Sequence, residues 1–356
     1  MTKDHCAPNN IKGTCFPTPV VIKLASAVSN KIKISKDGEQ MMSEVRSKLN
    51  CKDDLCVLKK KVIGDDLSGY FKPSRPKTWD VNKNEWASTT DIDDVLKQYE
   101  GKYEDFKYLG AVPIDFDKKI SSDTCISNDL CKINMKKLWD ENYRKLGMVF
   151  NLDPHDKPGS HWVSMFVDMK NGGIYYFDSV GTYPPKEVQA LMGRIATQLN
   201  NCLCDKTINK EHISDIHSVE KYLLKDAKKG SNKLYLNTDW LVPDTVIFIE
   251  NTPYKVVDVK PDESYIQVEP SLTSSYKKNT RVIEKCWRQF YNDIQHQQKN
   301  TECGIYSMYF ITELLKGKNF SDFLGRRIPD EHIEKYRYKF YRPRIANEFD
   351  ISDLKD

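Results

Sequence analysis

With 356 residues, 39% of them hydrophobic and 30% charged, the chain has the material for one large globular domain and smaller appendages. No stretch nears the ~18 consecutive apolar residues of a membrane helix, so no membrane span is expected. A formal net charge of +4 is too mildly basic to argue by itself for nucleic acid as a partner, which leaves that question to local basic patches. Residues 1–10 contain no apolar run of the length a secretory signal needs. A reducing compartment follows as the expectation, with the ten cysteines mostly free thiols and one of them a candidate nucleophile. Cys51 and Cys56, Cys125 and Cys131, and Cys202 and Cys204 lie close in sequence. None has the spacing of a zinc knuckle and no histidine completes a set, so neither a metal nor another cofactor is expected.

Residues 1–72 read as an N-terminal accessory unit, with a helix over Val20 to Ser29 and a Lys-rich segment after it. Residues 73–83, with Pro73, Pro76 and several lysines, read as a linker, because proline disfavours both helix and central strand. The main domain is assigned to 84–204 and 281–356. In it, Ser88 to Asp91 offers N-caps for a helix carrying Ile92, Val95, Leu96 and Tyr99 at helical spacing. Tyr108 to Phe116 reads as a buried strand interrupted by Pro113. Three β runs follow, Gly147 to Leu152, Trp162 to Val167 and Ile174 to Phe177, and Asn171-Gly172-Gly173 joins the last two as an antiparallel hairpin. Pro184-Pro185 opens a helix with Val188, Leu191, Ile195 and Leu199 on one face. Residues 205–280 read as a small β-rich insertion with strands at Val246 to Ile249, Tyr254 to Val259 and Tyr265 to Val268. The fold class expected is α+β: a mixed central sheet and a packed helix with a cysteine at its N-terminus, plus the insertion and the accessory unit.

His161 starts the first hairpin strand and Asp178 ends the second, so both fall near one end of the ribbon. Taken singly they are a strand-end histidine and a turn residue; together they form a cheap imidazole–carboxylate contact that would set the histidine tautomer. Cys303 stands between a Gln-rich loop, Gln295 to Gln298, and a helix from Gly304 to Leu315. That helix shows Ile305, Met308, Ile311 or Thr312 and Leu315 as an inward stripe, with Gly317 as its stop. Free N–H groups at a helix start favour a thiolate over a thiol and can stabilise an oxyanion. Gln297, six residues upstream, can add a side-chain amide donor. The bland alternative for Cys303 is a small core residue. The tail, Arg326-Arg327 and Tyr336 to Arg344, is basic and aromatic. It reads first as a solvated helix and strand, and second as a nucleic-acid or partner surface.

The run His161-Trp162, Asp178 in Tyr-Tyr-Phe-Asp-Ser-Val, Gln297 and Glu302-Cys303-Gly304 resembles the SUMO-specific protease and adenovirus protease superfamily of cysteine peptidases. Trp86 is similar to the tryptophan of that family's Trp-Leu motif, with Ala87 in place of the leucine. The resemblance covers roughly residues 84–204 and 281–317. The whole layout, including Pro113-Ile-Asp-Phe and Glu-Cys-Gly-Ile-Tyr-Ser, resembles the thiol proteases of large DNA viruses of the giant-virus and African-swine-fever type. It implies an endopeptidase with Cys303 as nucleophile, His161 as base, Asp178 orienting the base and Gln297 in the oxyanion hole. It also implies Trp86 and Trp162 as walls of a narrow substrate channel that admits glycine. The implied substrates are viral structural polyproteins cut after Gly-Gly-type sites, in the host cytoplasm at the assembly site and in the virion. The implied partner is a polypeptide with a glycine-rich cleavage site, or a ubiquitin-like protein. The alternatives are an isopeptidase that removes ubiquitin-like modifiers, acyl transfer to an acceptor other than water, and a non-catalytic binder of glycine-rich tails.

Overall fold

The computed structural model describes residues 5–9, 13–82, 85–203, 221–239, 241–250, 252–284 and 288–345. Lys83, Cys204 and residues 205–220 of the expected insertion lie outside the described residues. In chain order the first elements are α1 (Thr18–Val28), α2 (Gly38–Lys48), α3 (Asp54–Lys59), α4 (Thr89–Lys97), β1 (Phe106–Pro113), α5 (Asn128–Cys131), α6 (Met135–Asp140) and β2 (Lys145–Asn151). Then come β3 (Trp162–Asp168), β4 (Gly173–Phe177), α7 (Lys186–Leu203), β5 (Lys221–Tyr222), β6 (Lys233–Tyr235), β7 (Val246–Ile249) and β8 (Thr252–Lys260). The last are β9 (Tyr265–Glu269), β10 (Arg281–Glu284), β11 (Arg288–Tyr291), α8 (Cys303–Leu315) and α9 (Asp330–Phe340). Among the described residues no helix is long and apolar enough to cross a membrane. Two compact units result, one of Met1–Glu104, Lys299–Thr312 and Pro329–Asp356, the other of Asp105–Gln298 and Glu313–Ile328.

In the first unit, α1 and α2 bury Val21, Leu24, Met41, Met42 and Val45 in a core completed by Phe16, Leu55 and Phe71. Helices α2 and α3 start where a side chain satisfies an early N–H group: Asp37 accepts from Gln40 N–H at 3.0 Å and Asp53 from Cys56 N–H at 2.8 Å. Ser88 and Asp91 form a reciprocal capping box at the start of α4. The expectation of mostly free thiols is corrected here. Cys6 pairs with Cys15 and Cys51 with Cys56, and in the second unit Cys125 pairs with Cys131. Each pair closes a short loop whose ends turn back on themselves, bringing Cα atoms to 5.0–6.4 Å. Spacing rules for zinc are blind to that geometry. The proline-bearing stretch after residue 72 is no bare spacer either. Arg75 N–H donates to Arg342 C=O and Arg342 N–H to Pro73 C=O. Trp79, 3% exposed, lies under the Arg337 guanidinium at 4.3 Å. Gln98 Nε2 donates to Phe71 C=O at 2.7 Å and Tyr341 Oη to Asp91 C=O at 3.0 Å. All of these contacts but the last join residues on both sides of the expected boundary, and 1–104 makes one unit with 299–312 and 329–356.

The second unit holds a five-stranded mixed sheet in the order β1-β2-β3-β4-β11. β2, β3 and β4 are antiparallel, whereas β1 runs parallel to β2 and β11 parallel to β4. The hairpin turn between β3 and β4 uses Gly172 at φ 72°, where a Cβ would be strained, and Asp168 accepts from Lys170 and Asn171 N–H. One sheet face, with Met148, Phe150, Val163, Met165, Ile174 and Tyr176, packs on Val188, Leu191, Met192, Ile195 and Leu199 of α7. The other face carries aromatics: Tyr175 stacks on Phe320 at 4.8 Å and Phe177 meets Phe323 edge-on at 5.6 Å. Burial on both faces explains the near-continuous apolar runs of β3 and β4. Strands β5–β10 form a separate six-stranded sheet, β5-β10-β7-β8-β9-β6, around Leu234, Ile247, Tyr254, Val256 and Ile266. Thr197 of α7 and Thr245 share a hydrogen bond of 2.7 Å between their hydroxyls.

Candidate active site

Strand directions put three chain segments at one end of the five-stranded sheet. β3 begins there, antiparallel β4 ends there, and β11, parallel to β4, ends there too. His161 precedes β3, Asp178 follows β4, and residues 292–298 follow β11. His161 Nε2 and Asp178 Oδ1 are 2.6 Å apart. With Nε2–H donated to the carboxylate, the imidazole lone pair lies on Nδ1, the tautomer a general base requires.

Asp178 is wholly buried and surrounded by donors. Oδ1 also accepts Val180 N–H at 2.9 Å, and Oδ2 accepts Thr182 N–H at 3.2 Å and the Thr182 hydroxyl. Burial pushes this carboxyl up, but the hydrogen bond and charge of His161, with the Thr182 and Val180 donors, outweigh it and hold the group below its usual value. Its backbone is held from the neighbouring strand. Asn292, one residue past β11, accepts Asp178 N–H through Oδ1 and donates Nδ2 to Asp178 C=O, both at 2.7 Å. A side-chain amide thus extends the sheet ladder by one step. Gly181, at φ 78°, makes the next turn, and a Cβ there would lie 2.7 Å from the carbonyl carbon of Ile294.

Gln297 is held by the residue after Asp178. Ser179 C=O accepts both His296 and Gln297 N–H at 2.8 Å, and the Ser179 hydroxyl donates to Gln297 Oε1 at 2.7 Å. His296 pins the same loop from its other side. Its Nε2 donates to Phe323 C=O and its Nδ1 accepts Ile328 N–H, each at 3.0 Å, while the ring stacks on Phe177. Trp162 opens β3 and is 5% exposed, so its surface is largely spent in packing.

Cys303 and Trp86 belong to the other unit. Cys303 is the first residue of α8, and Tyr306 N–H makes the first helical bond to Glu302 C=O at 2.8 Å. By helix geometry the N–H groups before Tyr306 have no intrahelical acceptor. Among the described residues Cys303 is the free cysteine, and it is 2% exposed. The expected inward stripe of this helix is too narrow: every residue from Cys303 to Leu315 is buried, as in a helix apolar on all sides. The turn ahead of Cys303 is bound by one face of α9. Arg337 Nε reaches both Glu302 oxygens at 3.0 and 2.8 Å, and Arg337 Nη2 donates to Thr301 C=O. Asp330 accepts Lys299 N–H and the Tyr306 hydroxyl, and Glu334 pairs with Lys299. Part of the basic tail is therefore internal scaffolding and not the solvated face its composition suggests, because Arg337 and Arg342 are buried. Trp86, before α4, is 38% exposed.

The fold thus brings His161, Asp178 and Gln297 to one sheet end and starts a helix at Cys303. Sequence reading left out Ser179, Thr182, Asn292, His296 and Arg337. Only Ser179 had a local signal, its place beside Asp178 in the Asp-Ser-Val turn.

A family model described as the Ulp1 protease family, C-terminal catalytic domain, matches residues 114–233 and 257–348. A thiol protease of Acanthamoeba polyphaga mimivirus is 26% identical over 370 residues, covering 95% of this chain and 93% of its own. A cysteine protease of African swine fever virus is 21% identical over 332 residues, covering 87% and 89% of the two chains. Its counterpart in another isolate is named a SUMO-1 cysteine protease. The crystal structure of the African swine fever virus protease has the same fold, with a TM-score of 0.56 at 19% identity over 97% of this chain and 98% of that one.

Proposed function

We propose that this chain, which belongs to the Ulp1 protease family of cysteine peptidases, is an endopeptidase that processes viral structural polyproteins after glycine-rich, Gly-Gly-type sites. Cys303 is the nucleophile, His161 the base and acid, Asp178 the group that orients His161, and Gln297 an oxyanion donor. The thiolate attacks the scissile carbonyl, the oxyanion is held by the Gln297 amide and N–H groups of the helix start, and His161 protonates the leaving amine. Water then hydrolyses the thioester, with His161 as base. Of the two tryptophans expected to wall a substrate channel, Trp86, 38% exposed, is the one that selects glycine. The observation that carries this reading is the 2.6 Å bond between His161 Nε2 and buried Asp178, which commits the imidazole to the tautomer a base needs.

The places of action proposed are the assembly site in the host cytoplasm and the virion. The three disulfides favour the virion, since a reducing cytoplasm keeps such bonds open.

A panel of Gly-Gly-containing peptides and ubiquitin-like conjugates, read by intact mass, tests the reading. Cys303→Ala is expected to abolish cleavage and keep the wild-type melting temperature, because it deletes one small buried group. Turnover by a folded Cys303→Ala protein would exclude Cys303 as nucleophile. Cleavage of conjugates with none of the peptides would replace polyprotein processing by the isopeptidase activity suggested by the name of the relative.

A further inference from the structure

A glutamine amide serves as an oxyanion donor in only one of its two orientations. With Nε2 toward the reacting carbonyl it donates; turned by half a rotation about its last bond it presents Oε1 and repels the developing charge. Something must choose between them, and the choice must be made before substrate arrives if the donor is to be preorganised.

Ser179 is the group placed to make that choice. It is 1% exposed, and its hydroxyl reaches Gln297 Oε1 at 2.7 Å. The buried hydroxyl proton needs an acceptor, and the amide oxygen is the one it has among the described residues. Turning the amide over would leave that proton unmet in the interior, where an unsatisfied donor is disfavoured. The main chain is locked in the same contact, since Ser179 C=O takes the N–H of both His296 and Gln297 at 2.8 Å. Gln295 Nε2 donates to Gln297 C=O at 3.1 Å, which fixes the peptide on the far side. With the backbone held at both ends, the remaining freedom of Gln297 is in its side chain, and the serine hydroxyl removes it.

We propose that Ser179 is a positioning residue that sets the polarity of the Gln297 amide, holding Oε1 so that Nε2 is the end presented to the substrate oxyanion. This rests on the reading of Gln297 as oxyanion donor. Consecutive residues then set the polarity of both groups: Asp178 fixes which histidine nitrogen carries hydrogen, and Ser179 fixes which end of the amide faces the substrate.

The test is a double-mutant cycle on the full chain, with kcat and KM measured separately. Ser179→Ala is expected to lower kcat by ~10-fold with KM unchanged, within the ~10²–10³-fold loss that removal of the donor itself in Gln297→Ala should cause. Ser179→Thr, which keeps the hydroxyl, should restore most of kcat. In the Gln297→Ala background, Ser179→Ala should cost no further rate, because there is no amide left to orient. An equal loss in both backgrounds, or no loss in the wild-type background, would overturn the proposal. Unchanged kcat in Gln297→Ala would instead remove the oxyanion reading, and the proposal with it. If Ser179→Ala does not fold, Ser179→Cys carries the same cycle with a near-isosteric, weaker donor.

Discussion

Beside the proposed oxyanion donor sits a histidine whose charge state matters to the loop it holds. Burial holds the His296 imidazole below its ordinary value, the bond to Phe323 C=O opposes this, and the charge of Arg327 adds to it. Nδ1 already accepts Ile328 N–H, so a second proton would displace a buried hydrogen bond. The sign of the linkage follows. An unfolded histidine takes up a proton as the pH drops through ~6.5, whereas folded His296 resists until lower pH. Its contribution to stability is therefore whole above ~6.5 and is lost progressively as the pH falls through the depressed folded value, by up to ~1.4 kcal/mol per pH unit. The urea midpoint should decline on acidification from neutral pH, and His296→Asn should flatten that decline. The same slope in both proteins would exclude His296 as its source. Neighbouring Gly181 shows the opposite kind of constraint, steric and independent of pH. Its positive φ and the 2.7 Å approach of Ile294 leave no room for a side chain.

At the scale of elements, the helix that begins with Cys303 depends on another helix for its first turn. Asp330, Glu334 and Arg337 lie on one face of α9, at the i, i+4, i+7 spacing of a helical stripe, and all three hold residues 299–306. The Glu302–Arg337 pair is the buried part of this clamp, with side chains 1% and 6% exposed. Arg337→Ala would strand a carboxylate in the interior, and the loss expected is ~3–5 kcal/mol. Glu302→Gln with Arg337→Met removes both charges together and should cost much less. Urea denaturation of the single and double variants measures the difference, and equal losses would mean that the arginine acts through packing on Trp79. Helix α8 itself was expected to show one apolar stripe. Its polar members Ser307, Thr312 and Glu313 are buried along with the rest, and Lys316 and Lys318 pair with Glu313. Periodicity counts apolar residues and cannot see that a polar one has been matched from outside the helix.

At the scale of the molecule, the cysteines with a described side chain divide into two chemical classes. Six are tied in three disulfides, two of them in the unit that also carries Cys303. Alkylation without reductant should modify Cys303 and spare these six, and reduction of the denatured chain should then expose them to the reagent. Peptide mapping by mass checks this, and early labelling of Cys6, Cys51 or Cys125 would contradict the pairing. The melting temperature should also fall under a strong reductant, since each closed loop contributes roughly 2–4 kcal/mol. Much of the architecture was determined by sequence alone. The α1 and α7 helices, the Asn171-Gly172-Gly173 hairpin, the three strands after Val246 and the order of His161, Asp178, Gln297 and Cys303 follow from hydrophobic period, turn chemistry and motif, which act over a few residues. What the tertiary structure alone decided is which polar group meets which. Asn292 meets Asp178 across 114 residues and Ser179 meets Gln297 across 118. Both contacts exist because β11 pairs parallel to β4 and in one register. A parallel pairing between strands so far apart is selected by the packing of both sheet faces, which no local pattern in either segment encodes.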